Sequence, residues 1–252
     1  MDPIQTALLL VSGVLAGAIN AVAGGGSLIA FSALIGVGLP PLTAKMTNTV
    51  AVFPGNVASV AGGYRDLPAR RDAGRILPAA LLGGVAGAVL LLLTPTRVFD
   101  LIVPFLVLAA SAVFALQGRL MGWVVRTGGR RRRHPAILQA LVALGGVYGG
   151  YVGAGFGIVL VTALALLRPE ALARTVAVKN LLSAAISFTA VVLFVLLGHI
   201  DWPAVALLVP ATVVGGYGGA RLVRKLPERV VRAAIVTFGT AFGFALLWQN
   251  LR

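Results

Sequence analysis

The sequence predicts an all-α polytopic membrane protein made of two homologous repeats of about five apolar segments each, roughly eight to ten in all, and three observations predict it. First, the 252 residues are 59% hydrophobic and 11% charged, against about 25% charged in a soluble domain, and mean hydropathy is +0.98. Second, in each half the second apolar segment is near half length and follows a glycine cluster: Gly24, Gly25 and Gly26 in one, Gly153, Gly155 and Gly157 in the other. Third, Pro78 to Leu90 aligns with Pro210 to Leu222 at a spacing of 132 residues, with seven of thirteen positions identical.

Set against the roughly 20 residues of a spanning helix, the apolar segments fall at Gln5 to Val22, Leu28 to Val37, Thr43 to Ala61, Ile76 to Leu93 and Val98 to Leu116. The second set runs over Ala136 to Val152, Ile158 to Leu167, Ala171 to Leu197, Pro203 to Leu222 and Val230 to Asn250. Between Ala16 and Asn48 a helix is built to break, because each of Gly24, Gly25 and Gly26 lowers helix propensity by roughly 1 kcal/mol relative to alanine. Ser27 is then expected to cap a short second helix. Such short segments are read as broken or re-entrant helices, which a bilayer tolerates only where protein or a water-filled cavity satisfies the freed backbone groups. The two breaks are therefore the first candidate site. Ala21-Val22-Ala23 resembles a cleavage site, but Met1 to Gln5 carries Asp2 and no Lys or Arg, which argues against a signal peptide.

The same spacing superposes Pro95 on Pro227, Arg97 on Arg229, and Thr47-Asn48 on Lys179-Asn180. Internal duplication is characteristic of secondary transporters. It divides the chain into a first transmembrane repeat over 1–118, a basic cytoplasmic linker over 119–135 and a second repeat over 136–252. Orientation follows from the basic residues. Arg65, Arg70, Arg71 and Arg75 lie in one loop, Arg119, Arg126 and Arg130 to Arg133 in the next, and Arg221, Arg224, Lys225, Arg229 and Arg232 in a third, so these loops should be cytoplasmic. Each repeat then crosses an odd number of times, which makes the two inverted. A parallel arrangement with four spans per half would place the last basic cluster outside.

A net charge of +14 invites nucleic acid, but the charges sit in short inter-span loops rather than over a surface, so no nucleic acid partner is expected. With no cysteine and only His134 and His199, neither a thiolate nor a histidine metal site is implied. No cofactor is implied either. Gly153-Ala-Gly155-Phe-Gly157 lacks the βαβ context of a nucleotide loop, and no nucleophile elbow or acid pair suggests an enzyme. All seven acids, Asp2, Asp66, Asp72, Asp100, Glu170, Asp201 and Glu228, fall in loops or at segment ends. Cation pathways are commonly lined with intramembrane carboxylates, so the substrate is expected to be anionic or neutral.

Lys179 is the one charge placed well inside a span, where an ionised lysine costs roughly 2.5 to 3.5 kcal/mol; it is expected to face a central cavity and attract an anion, with snorkelling as the alternative. Lys45 lies nearer a segment end and is expected to snorkel. Half-helix N-termini at Gly24 to Ser27 and Gly153 to Gly157, approaching from opposite sides, would add positive potential and unpaired N–H groups, with the Ser27 hydroxyl as a further donor. Gly83, Gly84, Gly87 and their copies are better explained by close helix packing.

The segments AGAINAVAGGGSLI, PPLTAKMTNTVAVFPG with GGYRD, GGYVGAGFGIVL, AVKNLLSA and GHIDW strongly resemble the sulfite exporter TauE/SafE family of bacterial membrane proteins, over nearly the whole chain. The resemblance implies export of small sulfur-containing or organic anions, with sulfite, sulfoacetate and related sulfonates as substrates, across the cytoplasmic membrane. Thr47, Asn48 and Asn180, from the two matched pairs, join Gly24, Gly25, Gly26, Ser27, Gly153, Gly155, Gly157 and Lys179 as candidate substrate-binding residues. The partners implied are a small anion and the lipid bilayer, and a homo-oligomer is left open. The competing reading is an anion channel, or a non-transporting membrane protein whose glycines serve packing only.

One apolar segment follows the last basic loop, so Arg252 should be periplasmic with Trp248 at the interface. Reporters fused to Arg252 should be active in the periplasmic form; activity of the cytoplasmic form alone would refute the odd crossing number.

Overall fold

The computed structural model describes residues 2–22, 24–106, 108, 109, 112, 116, 135–153, 155–157, 160, 161, 164 and 172–222. Seven helices are bounded within them: α1 (Pro3–Val22), α2 (Ser27–Gly36), α3 (Pro41–Gly62), α4 (Arg70–Leu93), α5 (Pro135–Tyr151), α6 (Leu172–Leu197) and α7 (Trp202–Leu222). Residues 96–106 are also helical, and no strand occurs among the described residues. These helices match the apolar segments read from the sequence to within a few residues, apart from α4, which starts a full turn and a half earlier at Arg70. The linker core at 119–134 and the segment Val230 to Asn250 lie outside the described residues.

Helices α1, α4, α6 and α7 are long and apolar enough to cross a membrane. α3 is as long, at 22 residues, but carries Lys45, Thr47, Asn48, Thr49, Asn56 and Ser59, and all six are turned inward except Thr49, which is half-buried. The outer surface shows the opposite character: Leu82, Leu93, Leu196, Leu197 and Val214 are each more than 60% exposed. In water such a surface would aggregate; against lipid tails it is the favourable one, and polar side chains gather inside because there they can find partners.

The helices approach one another through glycine. α1 packs on α7 and α4 on α5, while α3 lies against α7, α6 and α2. A Cβ on Gly13 would come within 2.7 Å of the Ala211 Cβ, and one on Gly17 would strike the Thr212 carbonyl; from the other side, Gly215 and Gly219 meet the backbone of α1 at Val14 and Ala18. The α4–α5 contact repeats the pattern, with Gly83 on Ala143 and Gly146, Gly87 on Val147, and Gly150 on Gly84. Gly83, Gly84 and Gly87 are thus packing residues, as expected from their small-xxx-small spacing. Close approach also admits hydroxyl bonds between helices: Thr212 Oγ1 donates to the Ala51 carbonyl at 2.7 Å and Ser59 Oγ to the Gly216 carbonyl at 3.3 Å.

Gly17→Ala should therefore lower the thermal midpoint, because the added methyl meets backbone that cannot yield. Gly218, on the same α7 as Gly215 but with no atom of the described residues within 4 Å of its Cβ position, should tolerate alanine and gain from its helix propensity, by about 0.5–1 kcal/mol at most. Thermal unfolding of both variants in one detergent should give shifts of opposite sign or, for Gly218→Ala, none.

Candidate functional site

The site begins where α1 and α5 stop. Gly24 (φ 83°) and Gly153 (φ 75°) both adopt the left-handed conformation that suits glycine, and each N–H reaches five residues back, Gly24 to the Ile19 carbonyl at 3.2 Å and Gly153 to the Tyr148 carbonyl at 3.1 Å. The two breaks thus end their helices by the same device, a left-handed glycine closing the last turn. They also touch. A Cβ on Gly24 would lie 2.5 Å from the Gly157 Cα, and one on Gly157 would strike Gly24 in return. Gly155 has a positive φ as well, and Gly26 packs under the Ala16 carbonyl so closely that a side chain there has no room.

Two small adjoining cavities, of about 20 and 30 Å³, border these breaks and share Ser27, Lys45 and Asn48. The first is otherwise apolar, closed by Phe31, Phe99, Val103, Leu106 and Val152. The second is polar, with Asn20, Thr49, Asn56 and Ser187 on its wall beside Gly149 and Gly153. Its amides are linked: Asn20 Nδ2 donates to Asn56 Oδ1 at 2.7 Å, and Asn56 Nδ2 to Ser187 Oγ at 3.1 Å.

Both lysines are buried, and neither snorkels. Lys45 does not snorkel: it is 4% exposed and lines both cavities, because α3 runs inside the bundle and offers its side chain no route to the surface. Its ammonium donates to Thr49 Oγ1 at 2.8 Å, lies 5.8 Å from the centre of the Phe194 ring and stands beside Gly153. Lys179, 1% exposed, is absent from the lining of both cavities. It donates instead to the Asn20 carbonyl at 2.5 Å and the Ala21 carbonyl at 3.3 Å, and Asn180 Nδ2 adds a bond to the latter, also at 3.3 Å. These carbonyls end α1, where the helix dipole is negative and a cation is favoured. Lys179 and Asn180 therefore hold the first break in place.

Ser27 departs from expectation too. Gly26 occupies the N-cap of α2 without any side-chain cap, and Ser27 Oγ donates to the Gly153 carbonyl at 3.2 Å, tying one break to the other. Asn48 Nδ2 donates to the Ser27 carbonyl at 3.2 Å, while Asn48 Oδ1, buried, has no hydrogen-bond partner among the described residues. Thr47 is fully buried and accepts from the Asp201 N–H at 3.0 Å, so it anchors the turn between α6 and α7. Of the residues singled out from sequence, Ser27, Asn48 and Gly153 line the cavity; Gly24, Gly26, Gly155 and Gly157 shape the breaks, Gly25 gives its carbonyl to Leu28 N–H at 3.1 Å, and Thr47, Lys179 and Asn180 brace them. Lys45, Asn20, Thr49, Asn56 and Ser187 were missed. Five of the lining positions carry a legible signal, since Lys45, Asn48, Thr49, Val52 and Asn56 stand at helical spacing on one face of α3.

The family described as sulfite exporter TauE/SafE matches the chain over residues 9–246. Among curated proteins, the chain is 27% identical to the probable membrane transporter protein YfcA of Escherichia coli K12, over 99% of this chain and 92% of that one. It is 30% identical to a probable membrane transporter protein of Haemophilus influenzae, over 91% and 89% of the two chains, and 28% identical to the probable membrane transporter protein ORF9 of a Sinorhizobium species, over 96% and 92%. No solved structure matches the chain.

Because the chain has no cysteine, single cysteines report access directly. Ser27→Cys and Thr49→Cys should react with a small membrane-impermeant thiol reagent, whereas Thr47→Cys, sealed behind the α6–α7 turn, should not. Equal inertness of all three would mean that no aqueous path reaches the breaks.

Proposed function

The chain belongs to the sulfite exporter TauE/SafE family of membrane transporters, and from that premise we propose that it is a secondary transporter exporting a small oxyanion, of the sulfite, sulfonate or related organic class, across the cytoplasmic membrane. One observation carries the reading: the Lys45 ammonium is buried in the cavity at the meeting of the two helix breaks, and among the described residues no carboxylate pairs with it. An unpaired buried charge is costly, and of its three N–H donors Thr49 takes one. An anion entering the cavity supplies the missing counter-charge and accepts the others through charge-assisted bonds. Amide and hydroxyl groups of Asn20, Asn56 and Ser187 surround the same space and serve a small polar solute without adding charge.

Alternating access fits this arrangement. The α1–α7 and α4–α5 contacts correspond under the spacing of 132 residues, which together with the common termination at Gly24 and Gly153 supports reading 1–118 and 136–252 as repeats joined by the basic linker 119–135; we take the two as inverted. Each break is braced by the other repeat, through Lys179 on α1 and through Ser27 on Gly153, so movement of one repeat reshapes the walls of the cavity. Gly24, Gly25, Gly26, Gly155 and Gly157 contribute by letting the backbones approach. Thr47, Lys179 and Asn180 contribute by holding geometry, and Ser27, Asn48, Gly153 and Lys45 meet the substrate.

In proteoliposomes, sulfite or sulfonate flux should saturate and show counterflow; an ohmic current would instead make the protein a channel. Lys45→Met should weaken anion binding by about 1–3 kcal/mol while keeping or raising thermal stability. Lys179→Met should do the reverse in part, lowering stability because the Asn20 and Ala21 carbonyls lose their donor. Normal flux in Lys45→Met would overturn the assignment of the counter-charge.

A further inference from the structure

Beside Lys45, a residue that lines both cavities carries a buried acceptor with nothing to accept. Asn48 is 4% exposed and lines both cavities; its Nδ2 donates to the Ser27 carbonyl at 3.2 Å, and its Oδ1 is buried without a partner among the described residues. Amide orientation is often ambiguous, but not here. A backbone carbonyl only accepts, so turning the amide over would set two acceptors against each other and leave the NH₂ unmatched. Oδ1 therefore stays the free end. Of the other two lining amides, Asn56 Oδ1 already accepts from Asn20, and Asn20 lines the second cavity without reaching the first.

Lys45 and Asn48 lie three residues apart on α3, hence on one face and one turn apart, so a single small solute can meet both. Lys45 offers N–H donors to an anionic oxygen. Asn48 Oδ1 asks for a donor, and a fully ionised oxyanion has none: placed there, its oxygen faces another lone pair, and the buried acceptor remains unsatisfied. An oxyanion that keeps one acidic proton satisfies both positions, accepting from Lys45 and donating its O–H to Asn48.

Building on the anion site assigned above, we propose that Asn48 is a specificity-determining residue, and that the cavity selects oxyanions retaining one acidic proton, of the hydrogensulfite or hydrogenphosphonate kind, over fully ionised sulfonates of the same size and charge. Sites that hydrogen-bond a substrate hydroxyl reject analogues lacking it far more strongly than apolar pockets reject a missing methylene.

Two probes isolate the proton. Methylphosphonate in mildly acidic buffer carries one negative charge and one O–H; methanesulfonate has the same shape and charge and no O–H. Calorimetric titration of the purified wild-type protein should give binding at least tenfold tighter for methylphosphonate, a difference of about 1.4 kcal/mol, and Asn48→Leu, similar in size but without the acceptor, should bring the two within about twofold of each other. Methanesulfonate binding as tightly as methylphosphonate, or more tightly, to the wild type would overturn this inference while leaving the anion site intact. Failure of both anions to bind would overturn the anion site with it. The wild-type comparison stands whether or not the variant folds.

Discussion

Breaking a helix inside a membrane frees backbone carbonyls and amides where water cannot reach them, and the organisation of this protein follows from how those groups are satisfied. At the end of α1, the Asn20 and Ala21 carbonyls receive the Lys179 ammonium and the Asn180 amide. At the end of α5, the Gly153 carbonyl receives the Ser27 hydroxyl. Every donor comes from a different part of the chain from the carbonyl it serves, more than 120 residues away in sequence, so neither break can be stable until the two halves have come together. An unsatisfied backbone group in hydrocarbon costs several kcal/mol, which makes these few bonds the condition for the rest.

Glycine makes that condition geometrically reachable. Without the van der Waals contact of Gly24 with Gly157, the two breaks could not lie close enough for Ser27 to reach Gly153. The same absence of Cβ at Gly17, Gly83, Gly87 and Gly215 sets the outer helices close against their partners, where dispersion and hydroxyl bonds replace the hydrophobic effect that lipid cannot supply. Packing and site formation are thus served by one residue type in two roles, with Gly24, Gly153 and Gly155 at the breaks taking the left-handed φ.

The two lysines, alike in burial, meet different partners. Lys179 reaches an acceptor-rich helix end and its charge is answered there by carbonyls. Lys45 reaches a hydroxyl and an aromatic face, and among the described residues no carboxylate answers its charge. Their burial is equivalent; what differs is the neighbouring helix end, and that is set by the packing of α3 and α6 around the breaks.

Much of the architecture is legible in the residues themselves. Apolar length alone marks α1, α4, α6 and α7, the glycine triplet marks the stop after Val22, and the spacing of Gly83 and Gly87 marks a packing face, because each of these depends on local propensity and on the uniform demand of a lipid solvent. Family membership is equally legible, through motifs spread over nearly the whole chain. The division of labour within the site is not. Nothing local distinguishes Lys45 from Lys179, or tells that Ser27 bonds across to Gly153 rather than capping α2, or that Asn48 keeps a free oxygen while Asn180 gives its amide to α1. Those outcomes depend on which carbonyl, ring or helix end stands opposite each side chain, and only the assembled tertiary structure brings those groups face to face.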